Sequence, residues 1–288
     1  MSKSKVYFIK EITPESLVRI YDALGRELHG KVAVKISTGE MGGHNYLHPE
    51  LIGKLVNHVK GTIVECNTAY GGSRQDVKKH WDTIRAHGFL DHFDVDIMDE
   101  EGEFEIPVHH GVQLDKDIVG SHLKNYDSML VLSHFKGHMM GGFGGALKNI
   151  AIGVASTAGK TTDPELTWQK GYIAEQDAFL ESMADANEAV ISYMGAKNMA
   201  YVSVANRLSV DCDCDSNPHE PEMGDLGIFA SLDPVALDQA CYDAVKNAKD
   251  PGKAALIERM DSRHAIHTVE VAADHKLGIR EYEIVELK

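Results

Sequence analysis

Short apolar runs alternate with longer amphipathic stretches along most of the chain. The short runs are rich in β-branched residues and predict strands at 6–9, 32–36, 62–67, 129–132, 201–205 and 226–229. The stretches between them carry apolar residues at helical spacing and predict helices at 14–28, 49–59, 74–87, 142–152, 173–194, 233–245 and 265–275. Two further segments, 103–108 and 281–287, alternate between apolar and polar residues and predict strands, the first in an edge or hairpin position.

Strands that alternate with helices are typical of parallel βαβ units. The runs at 129–132 and 32–36 are almost continuously apolar, which favours strands covered by helices on both faces. We therefore expect an α/β fold with a mostly parallel sheet, or sheets, flanked by helices. One domain should span residues 1–288; if the chain has two lobes, their boundary should lie near 153–171, a polar stretch that contains Gly159 and Pro164.

Composition and charge narrow the range of partners. A hydrophobic fraction of 43% and a charged fraction of 25% are ordinary for a globular protein. A formal net charge of −15 repels both phosphate backbones and anionic lipid headgroups, so we expect neither a nucleic-acid nor a membrane partner. A small anionic substrate would require basic groups gathered at one place.

Targeting signals and cysteine usage predict a compartment. No apolar run approaches the roughly 20 residues of a membrane span, and the first residues lack the apolar core of a signal peptide. Four cysteines in 288 residues do not make a disulfide framework. We therefore expect a cytoplasmic protein with reduced thiols.

Polar segments follow several of the predicted strands. They span residues 37–44, 66–73, 133–138 and 211–215, and all are rich in glycine or in metal-ligand residue types. Because ligands of open α/β sheets bind just beyond the carboxyl ends of the strands, these segments predict a shared site.

The segment after the apolar run 129–132 carries the first set of candidate catalytic residues. If the chain stays extended, alternation places His134, Lys136 and His138 on one face. Two imidazoles and an ammonium group could then act as acid and base, or His134 and His138 could share a metal. The alternative is a tight glycine turn with solvated basic side chains.

The glycines that follow predict an anion-binding site. Gly142, Gly144 and Gly145 let the backbone approach a ligand, and the helix predicted to begin there would direct its amides towards an anion. Lys148 adds a positive charge nearby. Residues 153–161 resemble a phosphate-binding P-loop but have one residue too many between the glycines. We therefore do not predict a P-loop, and we predict that Lys160 is an anion-binding lysine.

Cys212 and Cys214 are the candidate metal ligands. In an extended segment their sulfurs point the same way, and the flanking Asp211, Asp213 and Asp215 raise the thiol pKa by like-charge repulsion. A soft cation would remove that repulsion. Two thiolates do not complete a metal site, and the candidates for further ligands are His134, His138, His219, Cys66 and Cys241. The alternative is an exposed acidic loop with incidental cysteines.

The sequence resembles the uncharacterised Fe-S centre protein family, also called domain of unknown function 362. The matching segments occur in order over nearly the whole chain, at 34–40, 133–138, 142–149, 158–160, 212–214, 225–231, 233–238 and 277–283. The resemblance implies an α/β fold and an iron–sulfur or metal association, but no reaction. Many members carry a ferredoxin-like insert with Cys-x-x-Cys repeats after the segment that matches 158–160; here 161–170 contains no cysteine. The paired-cluster relay of that insert is therefore missing from this chain.

These observations favour a cytoplasmic metal- or iron–sulfur-associated protein, an enzyme on a small anionic substrate. An iron–sulfur cluster, iron or zinc would be held by Cys212 and Cys214. His134 and His138 would complete the metal shell or act as acid and base. One alternative is a metal-free enzyme that binds phosphate or carboxylate through the glycine-rich segment. Another is a non-catalytic metal carrier or electron-transfer accessory with a redox partner.

Overall fold

The computed structural model describes residues 3–161 and 175–288. Its strands are β1 Ser4–Ile9, β2 Val32–Lys35, β3 Gly61–Glu65, β4 Val95–Ile97, β5 Glu103–Pro107, β6 Lys116–Gly120, β7 Ser128–His134, β8 Lys136–His138, β9 Gly142–Gly144, β10 Met199–Ala205, β11 Gly227–Ser231 and β12 Tyr282–Glu286. Its helices are α1 Pro14–Ala23, α2 Pro49–His58, α3 Val77–Ala86, α4 Ala146–Val154, α5 Gln176–Met194, α6 Pro234–Asn247, α7 Lys253–Ser262 and α8 His267–Asp274.

Eight of these strands form one sheet in the order β12-β1-β11-β10-β7-β2-β3-β4. Strand β11 is antiparallel to both of its neighbours, and the other pairs of adjacent strands are parallel. Strands β7 and β2 are buried along their whole length, as the almost continuously apolar runs 129–132 and 32–36 predict, and β10 between β7 and β11 is equally buried. The predicted α/β fold with a mostly parallel sheet is therefore confirmed.

Helices cover both faces of the sheet. Alternate residues of the central strands enter two hydrophobic clusters: Val131 packs into one with α4, α5, α6 and α8, and Leu132 into the other with α1, α2 and α3. Each fully buried aliphatic side chain contributes about 1.5–3 kcal/mol relative to an exposed one. The two-sided core leaves the carboxyl ends of the parallel strands as the place where polar side chains converge.

Several element boundaries differ from the predictions. The helix predicted from Gly142 begins at Ala146, because Gly142–Gly144 pairs instead with Lys136–His138 as a hairpin. Gly142 has a φ of +74°, which glycine adopts without strain. The prediction of a helix start at Gly142 is therefore wrong, and α7, β4 and β6 were not predicted from the sequence.

Other boundaries agree more closely. Asp233 caps α6 as predicted, since its carboxylate accepts a hydrogen bond from the Ala236 amide at 2.9 Å. The proposed lobe boundary at 153–171 falls mostly on residues outside the described part of the chain, and 153–154 form the end of α4. Among the helices in the described ranges, none combines the length and the apolar character needed to cross a lipid bilayer.

Candidate functional site

A cavity of about 110 Å³ lies at the carboxyl ends of β2, β3 and β7, beside the loop that follows β10. All four polar segments that follow the predicted strands contribute to its wall. The lining side chains include Ser37, Cys66, Tyr70, His134, Lys136, His138, Lys148, Asn149, Lys160, Cys212, Asp213 and Cys214. The structure therefore brings most of the candidate residues to one place, including residues from distant parts of the sequence.

Basic side chains dominate the charges of this cavity. Lys35, Arg74, Lys136, Lys148 and Lys160 line it, against the carboxylates Glu65 and Asp213. Burial lowers the pKa of Lys35 to about 8, although Glu65 opposes that shift. The cavity is thus locally cationic in a chain whose formal net charge is −15.

Arg74 is held in a buried ion-pair network that was not predicted from the sequence. Its guanidinium group donates to Glu40 at 3.2 Å and to Glu65 at 3.0 Å. Glu65 also accepts from the Thr38 amide at 3.0 Å. Although burial raises it, the guanidinium of Arg74 holds the pKa of Glu65 far below its usual range. A lone arginine at the start of a predicted helix gives no signal of such a network.

Asp213 joins two of the predicted catalytic residues. Its carboxylate lies 2.8 Å from Nδ1 of His134 and accepts a hydrogen bond from Nζ of Lys136 at 2.7 Å. Burial raises the pKa of Asp213, but Lys136 and His134 outweigh it and keep the carboxylate ionised. The other ring nitrogen of His134 lies 2.7 Å from the carbonyl oxygen of Asn206. Both partners are acceptors, so His134 offers no lone pair to a metal in this arrangement.

His138 is oriented by two backbone amides. Its Nδ1 accepts hydrogen bonds from Gly141 at 2.9 Å and Met140 at 3.2 Å. Burial, together with Lys148 and Lys136, lowers the pKa of His138 well below its ordinary value. The imidazole is therefore neutral, and with Nδ1 acting as an acceptor its proton is on Nε2.

Helix α4 presents Lys148 and Asn149 to the cavity. The Asn149 amide bridges β2 and β7, because its nitrogen donates to the carbonyl oxygens of Lys35 at 3.0 Å and Leu132 at 3.3 Å. Its oxygen accepts from Nζ of Lys35 at 3.0 Å. Lys148 makes no hydrogen bond or ion pair with any described residue. Burial and the neighbouring ammonium group of Lys136 lower the pKa of Lys148 to about 7.

The amino end of α4 is already occupied by a carboxylate of the chain. Asp238 accepts from the Ala146 amide at 2.8 Å and from the Leu147 amide at 2.9 Å. Gly144 and Gly145 line the cavity, whereas Gly142 packs against Ala265 on the side of α7 and α8. The helix amides expected to hold an anion are thus taken up, and the cations of the cavity are the remaining anion-binding groups.

Lys160 also faces the cavity but is bonded to the backbone. It donates to the carbonyl oxygens of Asn67 and Ala155, each at 2.6 Å. Burial lowers its pKa. Cys66 lies in the same wall, where its thiol donates to the carbonyl oxygen of Val154 at 3.2 Å and burial raises its pKa to about 12.

Cys212 and Cys214 are joined by a disulfide, so the expectation of reduced thiols is wrong for this pair. The segment is a turn rather than extended: the Asp215 amide donates to the carbonyl oxygen of Cys212 at 3.0 Å. This turn brings the two Cα atoms to 5.1 Å. The cysteines Cys66 and Cys241 are free and buried.

The carboxylates around the cysteine pair are mostly neutralised, contrary to the repulsion expected from the sequence. Asp211 pairs with His219 at 2.5 Å and with Arg259 at 3.4 Å, and Asp213 points inwards to Lys136. The sulfur atoms of Cys212 and Cys214 lie with a ring nitrogen of His138 in a group whose ligand atoms are all within 4.8 Å of one another. These three residues are compatible with a metal.

Comparison with known families matches residues 32–243 to the family described as a domain of unknown function, DUF362. This chain belongs to that family. The matched range of the DUF362 domain contains every residue named above as lining the cavity. No curated protein matches the chain in sequence.

Two solved structures are similar to this DUF362 protein. The lactate racemase apoprotein from Thermoanaerobacterium thermosaccharolyticum superposes with a TM-score of 0.46 at 11% identity, over 83% of this chain and 56% of that one. A protein from Thermotoga maritima superposes with a TM-score of 0.44 at 11% identity, over 81% of this chain and 58% of that one. The chain therefore spans little more than half the length of either structure.

Proposed function

We propose that the protein is an enzyme that binds a small anionic substrate in the lysine-lined cavity. The observation that best supports this is the surplus of cations: five basic side chains line the cavity with two carboxylates, and Glu40, which pairs with Arg74, adds a third carboxylate. Buried cations without counter-charges are unfavourable, and an anion placed among them removes that cost. A carboxylate, phosphate or sulfate group is therefore the expected ligand.

The hydrogen bonds and ion pairs around the cavity suggest a different role for each candidate residue. Lys148 has no partner in the described residues and is the cation free to bind the substrate anion. Lys136 is fixed by Asp213, so it contributes charge at a defined position. His138, neutral and with its proton on Nε2, would donate a hydrogen bond to the ligand. His134 acts through Asp213 as a positioning residue.

Melting temperatures measured with sulfate, phosphate and malonate at constant ionic strength test the proposal. A ligand at about 100 times its Kd stabilises the folded state by about 2.7 kcal/mol. We expect the wild-type protein to gain stability and Lys148→Met to lose most of that gain. The matched control is Lys78→Met, which removes the same charge from an exposed position in α3. Equal gains in wild type and in Lys148→Met would contradict the proposal.

A second candidate function, a metal centre beside the cavity, is favoured by the grouping of Cys212, Cys214 and His138. Once the disulfide is reduced, two thiolates and an imidazole match the three-ligand sets of catalytic zinc sites, which keep one position open. His138 would have to exchange its amide hydrogen bonds, or its Nε2 proton, for the metal. A bound metal would supply a Lewis acid next to the substrate.

An iron–sulfur cluster fits these residues less well. Clusters are usually held by four thiolates, but neither Cys66 nor Cys241 belongs to the ligand group in the described residues, and 162–174 contain no cysteine. We therefore propose single iron or zinc ions in preference to a cluster.

Metal and sulfide analysis of protein prepared anaerobically, with reductant, iron and zinc supplied, tests this second function. We expect one metal ion per chain in the wild type, little acid-labile sulfide, and none of the metal after Cys212→Ser with Cys214→Ser. Cys66→Ala, which leaves the pair intact, is the control. Wild-type protein without either metal would rule the centre out, and ready transfer of metal to a chelator would favour a carrier over an enzyme.

A further inference from the structure

The side-chain amine of Lys148 differs from those of the other cavity lysines in having no partner among the residues that the structure describes. Lys35 is bonded to Asn149 and to the carbonyl oxygen of Ile36, and Lys136 to Asp213. Lys160 is bonded to two backbone carbonyl oxygens. Only Lys148, among the cavity lysines, presents an amine that no described residue holds in place.

The backbone that carries Lys148 is well fixed. Asp238 caps the preceding two amides of α4, and the Asn149 side chain ties the helix to β2 and β7. Gly144 leaves the cavity wall beside Lys136 without a side chain, since a Cβ there would lie 3.4 Å from the Lys136 side chain. An amine on a fixed helix beside open space can be approached by a ligand at a constant angle, which is what attack on a carbonyl carbon requires.

We propose that Lys148 is a nucleophile that forms an imine with the carbonyl carbon of a small anionic oxo compound, such as a 2-oxo acid. The inference rests on the proposed anion-binding function and narrows its substrate class. The carboxylate of such a compound would pair with the fixed cations, of which Lys136 has the largest electrostatic effect on Lys148. Its carbonyl group would then lie towards the free amine.

The chemistry of this step balances without an oxidant, a reductant or a metal. The lone pair of Nζ attacks the carbonyl carbon, and the carbon–oxygen bond then breaks. The oxygen leaves as water with the two hydrogens of the amine, and the imine takes one proton from solvent to become an iminium ion. Burial and Lys136, which lower the pKa of Lys148 to about 7, keep a large share of the amine unprotonated and nucleophilic at neutral pH.

Trapping with glyoxylate, the smallest 2-oxo acid, and borohydride tests the proposal. Borohydride reduces an imine to a stable secondary amine, which peptide mass spectrometry then locates. We expect one adduct at Lys148 in the wild type, formed faster than on any exposed lysine and suppressed by excess sulfate. Lys78→Met should leave this adduct unchanged.

Two variants separate the amine step from anion binding. Lys148→Arg keeps the positive charge but cannot form the imine, so it should bind sulfate and show no adduct in the cavity. Lys148→Met should lose both properties. If wild-type protein binds sulfate but Lys148 is not modified faster than exposed lysines, the imine proposal is overturned and the anion site stands. If neither occurs, both proposals fail.

Discussion

The substitution Asp213→Asn tests whether the buried charge network holds the cavity together. Asp213 has a side chain only 2% exposed, and its partners His134 and Lys136 have side chains 2% and 10% exposed. An asparagine can still accept one hydrogen bond, but it leaves the Lys136 ammonium buried without a counter-charge. Removing one partner of a buried ion pair typically costs about 3–5 kcal/mol.

Urea denaturation at pH 7 measures this cost. For a chain of this size, 1 kcal/mol corresponds to roughly 2–4 °C in melting temperature, so Asp213→Asn should melt on the order of 10 °C lower. Sulfate should recover part of the loss, because an anion in the cavity replaces the missing carboxylate. The control is Asp274→Asn at the exposed end of α8. Equal stability of the two variants would refute the assignment of Asp213 as the counter-charge.

Three further outcomes follow from contacts around the cavity. Asp238→Ala leaves the buried amides of Ala146 and Leu147 unpaired and should lower the free energy of unfolding by about 2–4 kcal/mol. Asp238→Asn should lose less. Equal losses for the two variants in urea denaturation would contradict the role of Asp238 as the acceptor for these amides. The native protein should show no reactive thiol at pH 8, because Cys212 and Cys214 form a disulfide and burial raises the pKa of Cys66 to about 12 and that of Cys241 well above its usual value. After reduction, Cys214 should react faster than the more buried Cys212. A thiol-reagent titration that finds a reactive thiol without reductant would contradict this. Gly137→Ala should lower the free energy of unfolding by about 1–3 kcal/mol, because a Cβ there would lie 2.2 Å from the backbone oxygen of Val210. Unchanged thermal stability would contradict this close approach of the hairpin to Val210.

The fold could be predicted from the sequence because its signals are local. Almost continuously apolar runs marked β7 and β2, and the Asp-Pro pair marked the start of α6. The start of α4 was missed because a glycine-rich segment suits a hairpin as well as a helix start. Pairing with Lys136–His138 stabilises the hairpin over the helix start, and this pairing cannot be recognised from the glycine-rich segment alone.

The candidate site was predictable in its residue types but not in its partners. The positions of His138, Lys148 and the cysteine pair follow from segments after strands, as expected for this architecture. The sequence could not show that Asp213 turns inwards to Lys136, or that Asp238, 92 residues from Ala146, occupies the helix amides. Long-range hydrogen bonds and ion pairs of this kind depend on the folded geometry alone.

Proton uptake on sulfate binding tests the proposal that Lys148, which pairs with no described residue, is the cation that binds the anion. With a pKa of about 7, much of Lys148 is neutral at pH 8 in the free protein, whereas a bound sulfate ion favours the ammonium form. Sulfate affinity should therefore fall as the pH rises through 7.

Calorimetric titrations at pH 8 in buffers of different ionisation enthalpy count the protons taken up. We expect a substantial fraction of one proton per sulfate ion bound in the wild type and in Lys78→Met. Lys148→Met should bind sulfate weakly, without that uptake. Tight sulfate binding with no proton uptake in the wild type, or with the same uptake in Lys148→Met, would contradict the account.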